Sequence, residues 1–269
     1  MPELPEVITI KTDLHKEIVG KTIVDMQQVN YYPLKTPFDE IKSKLLQKQV
    51  LDVSNIAKLL LVELTENTFL AIHLNMSGRL LFNKQDNFVK IKIYFNDGSK
   101  LNFSSVRMFE TFDIWGPKKV ENYKKNHGKT ALDPTLTLQE FTNAMKKKNT
   151  YIKNVLLDQK LISGIGNIYA CDALFLSKIN PKTKISDISD KKYKELFKNV
   201  NLLLNESIKH RGSTIDRYAD LYGNPGSHQN HFRVYGKKKG EPCMVCGTPI
   251  KFEKIQGRGT YYCSNCQSL

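Results

Sequence analysis

Residues 58–74 read Lys58-Leu59-Leu60-Leu61-Val62-Glu63-Leu64-Thr65-Glu66-Asn67-Thr68-Phe69-Leu70-Ala71-Ile72-His73-Leu74. They hold two short apolar runs, 59–64 and 69–74. Both have strand length and carry the branched and aromatic side chains that suit a pleated surface. The same texture recurs at Arg79–Phe82, Val89–Phe95 and Thr111–Trp115, and Asn96-Asp97-Gly98-Ser99 reads as a turn between two of these strands. Several short strands in close succession predict an antiparallel β-sandwich. Upstream, Val7, Ile10, Leu14 and Ile18 repeat at helical spacing and Gly20 is a stop signal, so the pattern predicts a helix over 2–19.

Downstream, the polar stretch 116–134 closes this half, and the texture then turns helical. Helices are predicted over 138–147, 154–161, 168–176 and 191–209. Residues 211–232 follow as an irregular stretch with three glycines and one proline. Loops of this length are mostly functional or disordered. The reading is an α+β chain: an N-terminal antiparallel β-sandwich flanked by helices over 1–116, a linker over 117–134, a helical domain over 135–235 and a cysteine module over 236–269. No internal repeat or low-complexity tract interrupts it.

Composition narrows the partners. With 269 residues, 40% of them hydrophobic, the chain can bury a core, yet no apolar run approaches the ~20 residues of a membrane span. The N-terminus lacks the basic-then-apolar pattern of a signal peptide, so the expectation is a cytoplasmic, nucleoid-associated protein with no membrane partner. Lys and Arg number 41 against 27 Asp and Glu, a net charge of +14 that favours a polyanionic partner through counterion release. The alternative is a lysine-rich proteome without a nucleic-acid role. Runs such as Lys146-Lys147-Lys148 and Lys237-Lys238-Lys239 are ordinary solvated faces when taken singly.

Four of the five cysteines lie in the last 27 residues. Cys243-Met244-Val245-Cys246 and Cys263-Ser264-Asn265-Cys266 are two C-x2-C knuckles separated by 16 residues, a spacing that fits tetrahedral thiolate coordination of one structural Zn2+. A hairpin over 251–262 lies between them, with Arg258 near its tip. The lone Cys171 argues for a reducing compartment and against a disulfide framework. At the other end, Met1-Pro2-Glu3 invites trimming of Met1. A free Pro2 amine, with the ordinary α-amino pKa near ~8, is a competent nucleophile toward a carbonyl carbon; the bland alternative is that Pro2 and Pro5 simply start a helix. Gly164-Ile165-Gly166-Asn167 joins two predicted helices, either as a phosphate grip at a helix N-terminus or as a tight turn with Asn167 as N-cap.

Taken in order, Pro2-Glu3-Leu4-Pro5-Glu6, Lys58 before a strand, Gly164-Ile165-Gly166-Asn167-Ile168-Tyr169 and the four-cysteine finger resemble the bacterial formamidopyrimidine-DNA glycosylase family (Fpg/MutM), from Met1 to Cys266. The resemblance implies a helix-two-turn-helix in the helical domain and a finger hairpin at the end. It implies a bifunctional enzyme that excises oxidised purines, 8-oxoguanine and formamidopyrimidines, from duplex DNA. Pro2 would attack C1′, Glu3 would move protons at the sugar ring oxygen, Glu6 would shape the same pocket, and Lys58 would sit near the reaction centre. Arg258 would grip phosphate and assist β,δ-elimination. Met76, Arg107 and Phe109 would fill the space left by the flipped base, with Arg107 facing the orphaned cytosine. Lys148, Lys153 and Asn167 would contact phosphate, and Ser213, Thr214 and Tyr218 would lie in a lesion-capping loop over 212–232. The implied partner is damaged double-stranded DNA bound by a monomer, with no small-molecule cofactor.

Without the resemblance, Met76 and Phe109 read as core residues, Lys58 as a strand-edge lysine and Arg258 as an ordinary exposed arginine. The alternatives to the enzyme reading are an endonuclease VIII-like glycosylase for oxidised pyrimidines and a non-catalytic DNA-binding homologue; intact Pro2, Glu3 and Lys58 argue against the second. The chain departs from the family pattern at five places. Asn75 stands for the first glycine of Leu-Gly-Met-Ser-Gly, and Asn87 for a histidine. Ser105 and Glu110 stand at the two ends of Asp-x-Arg-x-Phe-Gly, and Asp172 for a glutamate. A carboxylate at Glu110 is unfavourable near DNA unless it is paired.

Overall fold

The computed structural model describes residues 2–238 and 240–268; the trimming of Met1 and the last lysine of the 237–239 run lie outside the described residues. The 58–74 stretch forms β3 (Leu59–Leu64) and β4 (Thr68–His73), paired antiparallel from Leu59↔His73 to Leu64↔Thr68. Leu60, Val62 and Leu64 face a core shared with Leu70 and Ile72, whereas Leu59 and Leu61 join Ala71 and Trp115 in a second cluster. Successive strand side chains point to opposite faces, so a strand buried on both sides loses its polar alternation. The second cluster is covered by Val120 and Tyr123 of α3 (Pro117–Lys125), a helix within the stretch that composition marks as linker.

The sheet built on this pair runs β2 (Val50–Ile56), β3, β4, β8 (Thr111–Trp115). The other runs β1 (Ile23–Gln28), β6 (Val89–Phe95), β7 (Lys100–Ser104), β5 (Arg79–Phe82). Every strand pair in both sheets is antiparallel. Leu80, Ile91, Ile93, Leu101 and Phe103 share one core with Val53, Leu60, Val62, Leu70 and Ile72, none more than 3% exposed. Val7, Ile10, Leu14 and Ile18 of α1 (Leu4–Ile18) join that core, and each such side chain contributes about 1.5–3 kcal/mol by burial. Sequence reading passed over β1, β2, β7 and α2 (Phe38–Leu45). In β1 and β2 the buried residues recur every third position, and each strand carries a register shift, at Ile23/Asp25 and Val50/Asp52; an irregularity of this kind erases the period-two signal.

The chain divides into two compact units. One contains the residues up to Asn126 together with Ser207–Gln229, and the other contains His127–Glu206 and the residues from Asn230 onward. The irregular stretch as far as Gln229 therefore belongs with the sandwich, where sequence had grouped it with the helical domain. Its attachments explain why: Arg211 donates to Asp13 of α1 (2.5 Å) and to Asp220 of the loop (2.8 Å), Tyr222 Oη donates to Glu17 (2.8 Å), and Phe82 N–H donates to the Leu221 carbonyl (2.9 Å). Burial pushes the Asp13 carboxyl above its ordinary pKa, against the pull of Arg211.

The second unit contains α4 (Leu138–Lys146), α5 (Ile152–Leu156), α6 (Asn167–Leu176) and most of α7 (Asp190–Lys209), followed by the hairpin β9 (Lys251–Ile255) and β10 (Arg258–Tyr262). Thr137 and Glu140 form a reciprocal capping box at the head of α4. The helix expected over 154–161 starts and stops earlier, because Gln159 turns the chain: its amide donates to the Leu157 and Ile165 carbonyls and accepts the Gly164 N–H. The cysteine module does not stand on its own core. Cys243, Ile250 and Cys263 pack with Cys171 and Phe175 of α6 and with Val234. Asp172, one of the departures, fastens this junction by accepting the N–H groups of Arg233 (2.9 Å), Val234 (3.0 Å) and Tyr235 (3.0 Å).

Asp220 is 1% exposed as a side chain and depends on Arg211 for its counter-charge. Arg211→Ala is expected to lower the unfolding free energy by about 2 kcal/mol, less than the roughly 3–5 kcal/mol of a fully buried pair because Arg211 itself is partly exposed. The shift of the urea midpoint at unchanged m-value measures it.

Candidate active site and nucleic-acid interface

At the head of α1, Glu3 is the N-cap, Leu4 and Pro5 open the first turn, and Pro2 lies before the helix. Pro5 costs no hydrogen bond there, since the first N–H groups of a helix have no intrahelical partner. Pro2 is buried, as are Glu3 (2% exposed) and Glu6 (1%). Glu6 uses both its oxygens: Oε2 accepts the Glu3 N–H (2.8 Å) and Oε1 accepts the N–H of Ser213, in the loop (2.8 Å). One carboxylate thus holds the Pro2-Glu3 terminus and the root of the loop. Gly212 is required beside it, with φ at +84° and Glu6 Cγ at 2.8 Å from where a Cβ would stand. Lys58 occupies, with Ala57, the two-residue turn that closes the β2–β3 hairpin between Ile56 and Leu59. It is a turn residue and not a strand-edge one.

The bland reading of Met76 and Phe109 as core fails: they are 45% and 61% exposed. They project from two adjacent turns, 75–78 and 105–110, and Arg107 bridges them. Its Nη1 lies 3.5 Å from Met76 Sδ and its guanidinium 5.5 Å from the Phe109 ring centroid. Asn75 adopts a left-handed φ of +41°, which suits glycine or asparagine, and its side-chain amide donates to the Phe109 carbonyl. That accounts for asparagine in place of glycine. Asn87 is exposed, and nothing in the structure explains its replacement of histidine.

Within the loop, Ser213 is buried (5%), Thr214 N–H donates to Gln229 Oε1 (2.9 Å) and Thr214 Oγ1 donates to the Tyr218 carbonyl (2.9 Å). Tyr218 corrects the expectation of a lesion contact. It is 7% exposed within the sandwich core, its hydroxyl donates to the Arg211 carbonyl (3.0 Å), and burial, with the Glu6 charge nearby, pushes its phenol pKa far above the ordinary value.

In the second unit, Arg258 begins β10 opposite Ile255 and is exposed. Lys148 is exposed and ion-paired to Asp158, and these three residues help line a cavity of about 290 Å³ with Asn154, Leu157 and Gln256. Lys153 is a correction to the sequence reading. It is fully buried, and its ammonium donates to the Gly259 carbonyl (3.1 Å) and Thr260 Oγ1 (2.5 Å), so its charge secures the strand next to Arg258 instead of facing solvent. Asn167 is the first residue of α6, with Gly166 as N-cap, and its Nδ2 donates to the same Gly259 carbonyl (2.9 Å). Two of the three side chains expected at phosphate, Lys153 and Asn167, therefore converge on the residue after Arg258.

The four cysteine sulfurs all lie within 4.8 Å of one another, with Cys243–Cys266 at 3.9 Å and Cys246–Cys263 at 3.5 Å. Zinc–thiolate bonds of about 2.3 Å place tetrahedral sulfurs about 3.8 Å apart, so the donor set fits that ion. Val245 N–H points to Cys243 Sγ (3.5 Å) and Cys266 N–H to Cys263 Sγ (3.4 Å), as befits thiolate ligands.

Residues 1–112 match the formamidopyrimidine-DNA glycosylase N-terminal domain, 128–219 the formamidopyrimidine-DNA glycosylase H2TH domain, and 240–269 a zinc finger found in FPG and IleRS. The fold and the cysteine cluster define a protein of the sandwich, H2TH and four-cysteine-finger class. Curated formamidopyrimidine-DNA glycosylases of Listeria monocytogenes and Herpetosiphon aurantiacus are 38% and 35% identical, covering 99% and 100% of this chain and 100% of each relative. The solved structure of Lactococcus lactis Fpg with abasic-site DNA superimposes at a TM-score of 0.90 with 32% identity, covering 100% of both chains; that of a variant with Fapy-dG DNA gives the same values. The chain belongs to the formamidopyrimidine-DNA glycosylase family.

Lys153→Met keeps the apolar stem and removes the ammonium. It is expected to speed amide hydrogen exchange across Arg258–Tyr262 by about tenfold or more, because local opening no longer breaks the two bonds to Gly259 and Thr260.

Proposed function

We propose that this protein is a DNA-repair glycosylase and abasic-site lyase for oxidised purines in duplex DNA. The observation that carries the reading is the Glu6 carboxylate, which receives the amides of both Glu3 and Ser213 and so ties the Pro2-Glu3 terminus to a loop able to meet an extruded base. Once Met1 is removed, the Pro2 amine attacks C1′ of the damaged nucleotide and the base departs with its electron pair and a proton. Glu3 protonates the ring oxygen as the sugar opens, which leaves an iminium between Pro2 and C1′. The iminium acidifies the 2′ proton, the 3′ phosphate leaves by β-elimination, and δ-elimination releases the 5′ phosphate. Lys58 acts near this centre, and Arg258 grips phosphate with Lys148 and the head of α6 at Asn167. Met76, Arg107 and Phe109 fill the space of the flipped base, with Arg107 toward the opposite cytosine.

The four thiolates hold one structural zinc, which supplies folding energy to the finger and takes no part in the bond changes. The protein acts as a monomer on damaged DNA in the cytoplasm, associated with the nucleoid; among the described residues no helix is long and apolar enough to cross a membrane.

Borohydride reduction with an 8-oxoguanine duplex is expected to trap a covalent complex whose cross-link maps to Pro2. Absence of trapping by protein lacking Met1 would refute the enzyme reading, and a strong preference for a thymine glycol duplex would move the substrate to oxidised pyrimidines. Pro2→Gly is expected to slow excision and strand cleavage at least about tenfold, some 1.4 kcal/mol in the barrier, while DNA binding is largely kept. Cys246→Ser is expected to lose zinc, measured as metal per chain, and to weaken binding to damaged duplex. A zinc-free chain that binds normally would show that the finger is dispensable.

A further inference from the structure

Glu110 lies at the foot of the exposed Arg107-Met108-Phe109 turn and is itself buried (8% exposed). Its Oε1 accepts the N–H (3.2 Å) and the hydroxyl (2.7 Å) of Ser77, and its Oε2 accepts the hydroxyl of Ser105. Those two hydroxyl oxygens in turn accept backbone N–H groups of the turn: Ser77 Oγ from Arg107 (3.0 Å) and Ser105 Oγ from Met108 (3.0 Å). An ionised carboxylate only accepts, and a hydroxyl has one proton to give. Glu110 therefore dictates which way both hydroxyls point and leaves their lone pairs toward the amides of Arg107 and Met108. Bonds to an ionised group are roughly twice as strong as neutral ones, so the relay is stiff.

The surroundings are built for this carboxylate. Its methylene stem passes over Gly78, where a Cβ would stand 2.5 Å from Glu110 Cγ and 2.8 Å from the Leu74 carbonyl. The Glu110 carbonyl accepts the Tyr32 hydroxyl (2.7 Å). Met108 is held at a φ of +57°, which costs a non-glycine residue about 1 kcal/mol or more and persists only where neighbours enforce it. The side chain that looked misplaced beside a polyanion is turned inward and occupied by two serines.

We propose that Glu110 is a positioning residue. Through Ser77 and Ser105 it sets the pose of Arg107 and Phe109, and with it the discrimination of the base opposite the lesion. This rests on the glycosylase reading above. Glu110→Gln keeps the shape but replaces one acceptor with a donor, so one serine must turn its proton away from position 110, and its oxygen, no longer oriented by a carboxylate, holds the turn amide less firmly. A carboxylate at position 105 would start from the Ser105 side of the same cluster, so Ser105→Asp combined with Glu110→Gly returns the charge by another route.

The experiment compares single-turnover excision of 8-oxoguanine opposite cytosine and opposite adenine, with borohydride trapping of the unmodified protein as reference. The cytosine-over-adenine ratio is expected to fall about fivefold or more in Glu110→Gln, the scale of one lost base-discriminating contact, and to return toward the parent value in the double variant. An unchanged ratio in Glu110→Gln overturns the inference. So does a folded double variant that fails to discriminate, and that arm decides the matter if Glu110→Gln does not fold. Failure of the parent protein to trap would instead strike the glycosylase reading itself.

Discussion

The organising constraint of the sandwich unit is that the buried Glu6 carboxylate must find donors. Water is excluded from it, and a carboxylate without partners at that depth would cost several kcal/mol. It satisfies itself with the N–H of Glu3 on one side and the N–H of Ser213, more than 200 residues away in sequence, on the other. That choice defines the unit. The chain must return after α7 to bring Ser213 in, Gly212 must be a glycine to let the backbone close on Glu6, and Arg211 must meet Asp13 and Asp220 as it passes. The terminal Pro2-Glu3 segment, which has the least freedom to be held from its own end, is fixed by the same atoms.

A second pattern is that four of the five departures from the family pattern, all but Asn87, are accommodated by local hydrogen bonds. Asn75 keeps the left-handed backbone of a glycine and adds a bond to Phe109. Ser105 and Glu110 together retain one carboxylate at the base of the 105–110 turn, with the charge carried by the later residue and the hydroxyl by the earlier. Asp172 reaches three consecutive amides and ties α6 to the entry of the finger. In the finger unit the buried ammonium of Lys153 plays the corresponding part, converging with Asn167 on Gly259 and so on the backbone beside Arg258.

Much of this was legible in the chain itself. Local patterns carry their own physics: the apolar runs at 59–64 and 69–74 specify strands, the Val7, Ile10, Leu14, Ile18 spacing specifies a helix face, and two C-x2-C knuckles specify a four-sulfur cluster whatever surrounds them. Elements whose pattern depends on a neighbour were not legible. β1 and β2 carry register shifts that break their period, and α3 reads as polar because Val120 and Tyr123 supply its apolar contact with the sheet while Lys119 reaches it through an ion pair with Asp113.

For the site residues the sequence determined which chemical groups are present, and the tertiary structure decided what each one does. Met76 and Phe109 look like core residues and stand in solvent, while Tyr218 and Lys153 look like ligand contacts and lie buried. Glu110 looks like a charge set against DNA and faces two serines. The reason is that a side chain's partners across space are set by loop closure and burial, and neither is written in the residues beside it. A carboxylate reads the same in sequence whether it ends in water or accepts three hydrogen bonds under a turn.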